Sequence, residues 1–381
     1  MTIVKILTRF RSLNLKLLAA SPLSSNRIGV IMATRLSRFA IVLWVVWVWS
    51  LTNRPVLADE HVVPEGASVD SAEHEFVLRE FTPVLKDKWI GQGISYGPYR
   101  EEESPGGLQP TREKLTEDLN LLSQHWNLLR MYGAGESAEE VLKIIHEKRL
   151  PFKMMLGAWI VPEESSANPL LAKEANRMEI ATAIRLANAF PEEVIAVSVG
   201  NETQVFWSDH RTPPEELIRH IREVRSATNV PVTTADDFNF WNKPESKQIA
   251  DEIDFIVTHI HALWAGLELS KAMEWTEKIY GEVKKEYPDK MVVIGEAGWA
   301  TQVHNEGEQA KLIKGEVGES EQRQYYEQFT EWAREHKICT FYFEAFDEPW
   351  KGGPHPNEVE KHWGLYRVDR TPKKALAGSE E

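Results

Sequence analysis

The chain has 381 residues, a net charge of −14, and 42% hydrophobic against 27% charged residues, a globular composition that excludes a disordered, collagenous or polytopic membrane protein. The charge is unevenly placed: residues 1–58 hold eight Lys/Arg and no acid, so residues 59–381 carry 36 basic against 58 acidic side chains and repel phosphate backbones and anionic lipid. Nucleic acid is thereby excluded as a partner, a neutral ligand is favoured, and the lone Cys339 excludes an internal disulfide framework or a thiolate metal cluster.

At the N-terminus, Arg35 and Arg38 precede a 13-residue apolar run from Phe39 to Leu51, and Val56-Leu57-Ala58 offers small residues before the acidic Asp59. This pattern predicts a cleavable signal over about residues 32–58, because thirteen residues fall short of the roughly 20 needed to span a bilayer as a helix. The expected organisation is an N-terminal extension with signal (1–58), a lead-in segment (59–88) and one barrel (89–381), exported as a soluble monomer to the periplasm or medium, with no membrane attachment after cleavage.

From Trp89 onward one grammar repeats: a short β-rich apolar run, a polar loop, then a helical pattern with a charged face. Strands are predicted over 89–96, 127–132, 151–159, 194–201, 230–234, 254–261, 290–296 and 339–346. Helices are predicted between them over 112–123, 138–148, 170–189, 215–227, 271–286 and 321–336, with a shorter one near 246–251. One helix start is marked by Thr212-Pro213-Pro214-Glu215, where the threonine hydroxyl is the expected cap. Eight βα units in this length imply a closed α/β (β/α)8 TIM barrel; the rival doubly wound sheet lacks a glycine-rich turn after its first strand.

In such barrels chemistry collects at the C-terminal ends of the strands. Two carboxylates stand there: Glu202 after the run 194–201, and Glu296 after Val292-Val293-Ile294-Gly295. Strands four and seven face each other across the barrel mouth, so these two acids converge on one ligand. Glycosidic cleavage needs such a pair, one protonated for the leaving oxygen and one ionised at the anomeric carbon. Asn201 is placed to bond a sugar hydroxyl, and Tyr96, Tyr132, Trp159, Trp207, Trp264, Trp299, Trp350 and Trp363 supply flat rings near the strand ends.

The chain resembles glycoside hydrolase family 17, the β-1,3-glucanase and β-1,3-glucanosyltransferase family, and in particular its bacterial branch. The likeness rests on Gly93-Ile94-Ser95-Tyr96-Gly97-Pro98-Tyr99, Arg130-Met131-Tyr132, Val199-Gly200-Asn201-Glu202, Val230-Pro231-Val232-Thr233-Thr234-Ala235, Gly295-Glu296-Ala297-Gly298-Trp299, the run Phe343 to Lys351, and Glu360-Lys361-His362-Trp363-Gly364-Leu365-Tyr366. The resemblance implies a retaining mechanism through a covalent glycosyl-enzyme, with Glu202 as acid/base and Glu296 as nucleophile, acting on β-1,3-glucan without a cofactor. It implies substrate-facing or supporting roles for Tyr96, Arg130, Tyr132, Asn201, Trp264, Trp299, Glu344, Glu348, Lys351 and Glu360. Strand six departs from the branch's His-Ile-Leu-Pro-Tyr-Trp, reading His259-Ile260-His261-Ala262-Leu263-Trp264, so the usual tyrosine is missing from the nucleophile's side. His259 and His261 share one face and are expected to meet sugar or a catalytic carboxylate; their spacing offers no third metal ligand. Hydrolysis, glucanosyl transfer by the same residues, and an inactive carbohydrate-binding barrel remain as alternatives.

Overall fold

A computed structural model describes residues 76–377; the expected signal, and the lead-in as far as residue 75, lie outside the described residues. Eight parallel strands close into a barrel: β1 (Gln92–Ser95), β2 (Leu128–Arg130), β3 (Lys153–Ala158), β4 (Val194–Asn201), β5 (Val232–Asp237), β6 (Ile256–His259), β7 (Val292–Ala297) and β8 (Thr340–Tyr342), with β8 pairing both β7 and β1. Helices α1 (Arg112–Leu122), α2 (Glu136–Lys148), α3 (Pro169–Ala189), α4 (Pro214–Ala227), α5 (Phe238–Trp241), α6 (Lys247–Ala250), α7 (Leu269–Glu286), α8 (Gly307–Leu312) and α9 (Glu319–Glu335) connect them. All eight predicted strands are present, each trimmed at its ends except β4, which matches, and β5 and β7, which start two residues later than expected and extend further at their C-terminal ends. Elements that escaped the sequence include α5, α8, and a hairpin pairing Val84–Leu85 with Lys88–Trp89 ahead of the barrel.

The strand period of two sorts the side chains. Leu128, Met155, Ala196, Ala235, Val257, Val293 and Phe341 fill the barrel interior, and Phe81 stacks on Phe255 with centroids 4.4 Å apart at one end. Residues of the opposite parity, such as Leu129, Met154, Ile256 and Ile294, join the larger core beneath the helices. Continuing the inward parity by one step brings Arg130 after Leu128, Asp237 after Ala235 and His259 after Val257 into the interior.

The two strands carrying the catalytic candidates break this parity by bulges. On β7, Thr258 pairs with Ile294 but His259 pairs with Glu296, so Gly295 is an extra residue that turns Glu296 inward. A Cβ on Gly295 would lie 2.4 Å from Val257 Cγ1. On β4, the register slips between Ser198 and Asn201, with Gly200 at φ 78° and Glu202 at φ 50°. A left-handed glutamate is an unusual backbone state of the kind found at functional sites.

The start of α4 corrects the expected cap. Pro213 occupies the cap position, and the Thr212 hydroxyl donates to the His210 carbonyl (3.1 Å), closing the loop after β4 instead of capping the helix. Gly157 on β3 is required by a close approach: an added Cβ would meet the Tyr132 backbone at 2.3 Å and Met131 O at 2.4 Å. Gly157→Ala is expected to cost about 1–3 kcal/mol through overpacking and to displace Tyr132; thermal denaturation checks the first effect and turnover the second.

Candidate active site

Arg130 is the hub. Its side chain is 2% exposed, and its Nη1 donates to Glu296 Oε1 (2.7 Å) and the Gly295 carbonyl (3.0 Å), while Nη2 donates to Asn201 Oδ1 (2.6 Å). Nη2 also lies 3.3 Å from His259 Nε2. The same Nε2 is 3.4 Å from Glu296 Oε1, and the other ring nitrogen, Nδ1, reaches Glu202 Oε1 at 3.1 Å. One histidine ring thus spans from the side of Glu296 to Glu202.

Glu296 is almost fully enclosed. Tyr132 Oη donates to Oε1 (3.0 Å), and His261 Nε2 approaches Oε2 at 3.1 Å. Burial by itself pushes this carboxyl up, but the charges of His259 and Arg130 and the hydrogen bond from His261 outweigh it and hold Glu296 well below the usual carboxylate range. Glu202, by contrast, is the more open of the two, with 27% of its side chain exposed. The missing strand-six tyrosine has a physical resolution: Leu263 occupies that position buried in the core, and the phenol on Glu296 comes instead from Tyr132 just past β2.

A second ring of polar groups lies on the loop after β8. Lys351 Nζ bridges Glu344 Oε2 (2.5 Å) and Glu348 Oε2 (2.7 Å), and Trp264 donates its indole N–H to Glu360 Oε1 (3.1 Å). Burial, opposed by Lys351 and reinforced by the negative charge of Glu348, raises Glu344 well above the usual range, and burial raises Glu360 as well.

Two expected site residues stand elsewhere. Tyr96 is 1% exposed, and its hydroxyl donates to Asp118 of α1 (3.1 Å), so it faces the helix layer and not the ligand. Trp299 is fully buried, packed against Tyr325 with its indole N–H on the Glu316 carbonyl (2.9 Å), leaving no ring face free for sugar. The other expected residues, Arg130, Tyr132, Asn201, Glu202, His259, His261, Trp264, Glu296, Glu344, Glu348, Lys351 and Glu360, belong to the two groups just described.

Sequence reading missed the end of β5. Asp236 and Asp237 follow an apolar run just as Glu202 and Glu296 do, and register places Asp237 beside His259, which is beside Glu296. Asp236 accepts the backbone N–H groups of Gln204 (2.8 Å) and Asp237 (2.9 Å), and burial raises it well above the usual range. His259, His261 and Glu296 bring three potential metal donors within 4.8 Å, a third donor that sequence spacing had hidden. Arg130 already donates to Glu296 Oε1 and lies 3.3 Å from His259 Nε2, placing a fixed positive charge against the cluster, so its donor set is that of an ion-pair network and not of a cation cage.

Asp237 offers a pH test. Burial raises its pKa to about 6, against about 3.9 when unfolded. The folded state therefore keeps the proton longer, and the contribution, complete below about pH 4, is lost as pH rises through 6, a gap of about 2–3 kcal/mol. Asp237→Asn, which retains the oxygen that accepts from Asn239, is expected to leave stability near pH 4 unchanged and to raise it by up to about 2 kcal/mol at pH 8 in urea denaturation.

Comparison with known proteins identifies the family. Residues 93–364 match the BtgE/BtgC glycoside hydrolase domain. A glucan 1,3-beta-glucosidase of Arthroderma benhamiae is 28% identical over 296 residues, covering 74% of this chain and 88% of that protein. A putative glucan endo-1,3-beta-glucosidase, btgC, of Aspergillus niger is 28% identical over 74% of this chain, but the match spans only 42% of that longer protein. Among solved structures, an endo-laminarinase from Formosa aligns with a TM-score of 0.66 at 26% identity, covering 77% of this chain and 88% of that one. A family 17 β-1,3-glucanosyltransferase from Rhizomucor miehei aligns with a TM-score of 0.59 at 25% identity, covering 74% and 95%. With the family model matched over most of its length, the chain belongs to the BtgE/BtgC glycoside hydrolases.

Proposed function

We propose that the protein is a retaining β-1,3-glucan hydrolase in which Glu296 is the nucleophile and Glu202 the acid/base. The observation that carries the assignment of roles is the difference in surroundings: Glu296 is ringed by Arg130, Tyr132 and His261, while Glu202 stands open at the rim with one histidine contact. A carboxylate held ionised attacks the anomeric carbon, and the glycosidic bond breaks as the leaving oxygen takes the proton of Glu202. In the second step Glu202 takes a proton from water, whose oxygen displaces Glu296 with retention. Arg130 acts as a positioning residue through Glu296 and Asn201. Enclosure of so many acids around the site disfavours a polyanionic glycan and suits a neutral glucan. The names of the relatives, which refer to 1,3-beta-glucans and laminarin, support the linkage.

The basic, apolar and small-residue pattern over 32–58 supports export of the protein, and among the described residues no helix is long and apolar enough to cross a membrane. N-terminal sequencing of the exported protein checks that cleavage follows Ala58.

Chromatography of soluble β-1,3-gluco-oligosaccharides incubated with the purified protein tests the assignment. Shorter sugars are expected, with turnover undetectable in Glu296→Gln and reduced about 10²–10⁴-fold in Glu202→Gln. Unchanged substrate with the wild-type protein would overturn the β-1,3-glucan reading.

A second reading, glucanosyl transfer, is favoured by the loop that follows Glu202. Its Phe206 is 77% and its Trp207 44% exposed, edge to face at 4.8 Å, and the loop is pinned by Gln204, Thr212 and His210, whose ring lies 4.6 Å from Trp159. Apolar rings held in solvent beside the acid/base suit a sugar acceptor that competes with water. If transfer occurs, products longer than the substrate appear at high substrate concentration, and Trp207→Ala lowers the ratio of longer to shorter products without abolishing cleavage.

A further inference from the structure

His261 differs from every other partner of Glu296. Arg130 and Tyr132 share Oε1, leaving Oε2 to His261 Nε2 alone at 3.1 Å. The imidazole is clamped edge-on by Phe343 and Trp363, each with centroids 5.4 Å away, and its Nδ1 is buried without a partner. It has therefore no hydrogen bond to give up or to gain other than that to the nucleophile. Charged and titratable groups face it from the surrounding elements: Glu296 on β7, Arg130 on β2 with Tyr132 beyond it, Glu202 after β4, Asp237 on β5, His259 on β6, and Glu360 and Lys351 on the loop after β8. Glu296 and Glu202 are the two whose charge changes during the reaction, and of these the nucleophile is the one hydrogen-bonded to His261.

We propose that His261 is a cationic positioning residue for the nucleophile, and that breakdown of the glycosyl-enzyme proceeds with His261 protonated. The inference rests on the assignment of Glu296 as nucleophile. When Glu296 bonds to the anomeric carbon, the anion becomes a neutral ester and His261 loses the charge it faces. In the second step the ester C–O bond breaks, its electron pair returns to Glu296, and water, having given a proton to Glu202, supplies the oxygen that replaces it. Negative charge thus reappears at the carboxylate, and an imidazolium already fixed on Oε2 stabilises it as it forms. Burial disfavours the charged ring, yet the hydrogen bond and charge of Glu296, with Glu202 and Asp237 behind it, leave the His261 pKa raised in the free enzyme. Esterification removes the largest of these supports, so the ring releases its proton more readily in the intermediate than in the free enzyme.

The test uses the full enzyme with an aryl β-laminaribioside whose leaving group needs no acid, so that kcat reports breakdown of the intermediate. The expected wild-type kcat declines tenfold per pH unit on the alkaline side, with one proton. His261→Gln, which retains a neutral donor of similar reach, is expected to have a plateau about tenfold lower and no such decline. The same alkaline limb in both proteins, or its absence from the wild type, overturns the proposal. A measurement independent of turnover is the NMR titration of the histidine ring protons, with the His261 signal assigned by its loss in His261→Gln. In Glu296→Gln, whose neutral amide stands in for the ester, the His261 midpoint is expected to fall by a pH unit or more; an unchanged midpoint overturns the proposal. Absence of aryl release from the wild type would instead refute the glucanase reading, and the NMR titration would still decide the charge coupling.

Discussion

A single buried guanidinium holds the site together. Arg130 reaches β7 through Glu296 and the Gly295 carbonyl, β4 through Asn201, and β6 through His259, so three strands, the farthest 166 residues along the chain from the arginine, are registered on one planar group. A buried cation is tolerable only where its donors are satisfied, and here they are satisfied by the groups the chemistry needs in place. Removing it would leave the Glu296 carboxylate enclosed without its nearest counter-charge. The bulges at Gly295 and Gly200 follow from the same constraint: without the extra residue on each strand, the parity of β4 and β7 would turn Glu296 outward and move Asn201 off the guanidinium.

Around this hub the carboxyl groups divide by environment. Glu296, with cations and donors on both oxygens, stays ionised, while Asp236, Glu344 and Glu360 are pushed upward, chiefly by burial. Keeping part of the acidic ring protonated limits the charge that has to be buried in the barrel mouth. It also means that the acids surrounding the nucleophile do not simply add their repulsion to it. The Lys351 bridge between Glu344 and Glu348 serves the same end on the loop after β8.

The repeat of strand and helix patterns was legible because each strand is an apolar run bounded by polar loops, and so were Glu202 and Glu296, which end two such runs beside glycine. Asp236 and Asp237 carried the same signal, but the run before them was read as ending at Thr234, since threonines inside a buried strand resemble a strand terminus. The inward and outward faces at the ends of β1 and β7 were not legible. Tyr96 follows β1 and turns to Asp118 because the Arg370 guanidinium, which also binds that aspartate at 2.8 Å, makes a buried polar anchor from a segment more than 250 residues away. Trp299 lies three residues beyond Glu296, where the chain has already left the barrel mouth to pack on α9. Long-range partners of this kind leave no periodic trace in the sequence.

Strand six makes the same point about substitution. The absent tyrosine read as a loss when the segment was considered alone, because the nucleophile's hydrogen bond was assigned to one position. In three dimensions a phenol from beyond β2 and an imidazole from beyond β6 reach the two oxygens of the same carboxylate, and Leu263 is free to serve the core. What the site conserves physically is therefore a fully satisfied, ionised carboxylate at the end of β7, and the chain meets that requirement with residues of different charge from different strands. The exchange is not neutral: a phenol donates without titrating near neutral pH, whereas an imidazole brings a proton whose affinity depends on the charge of the group it holds. A carboxylate that alternates between anion and ester thereby acquires a partner that responds to the alternation.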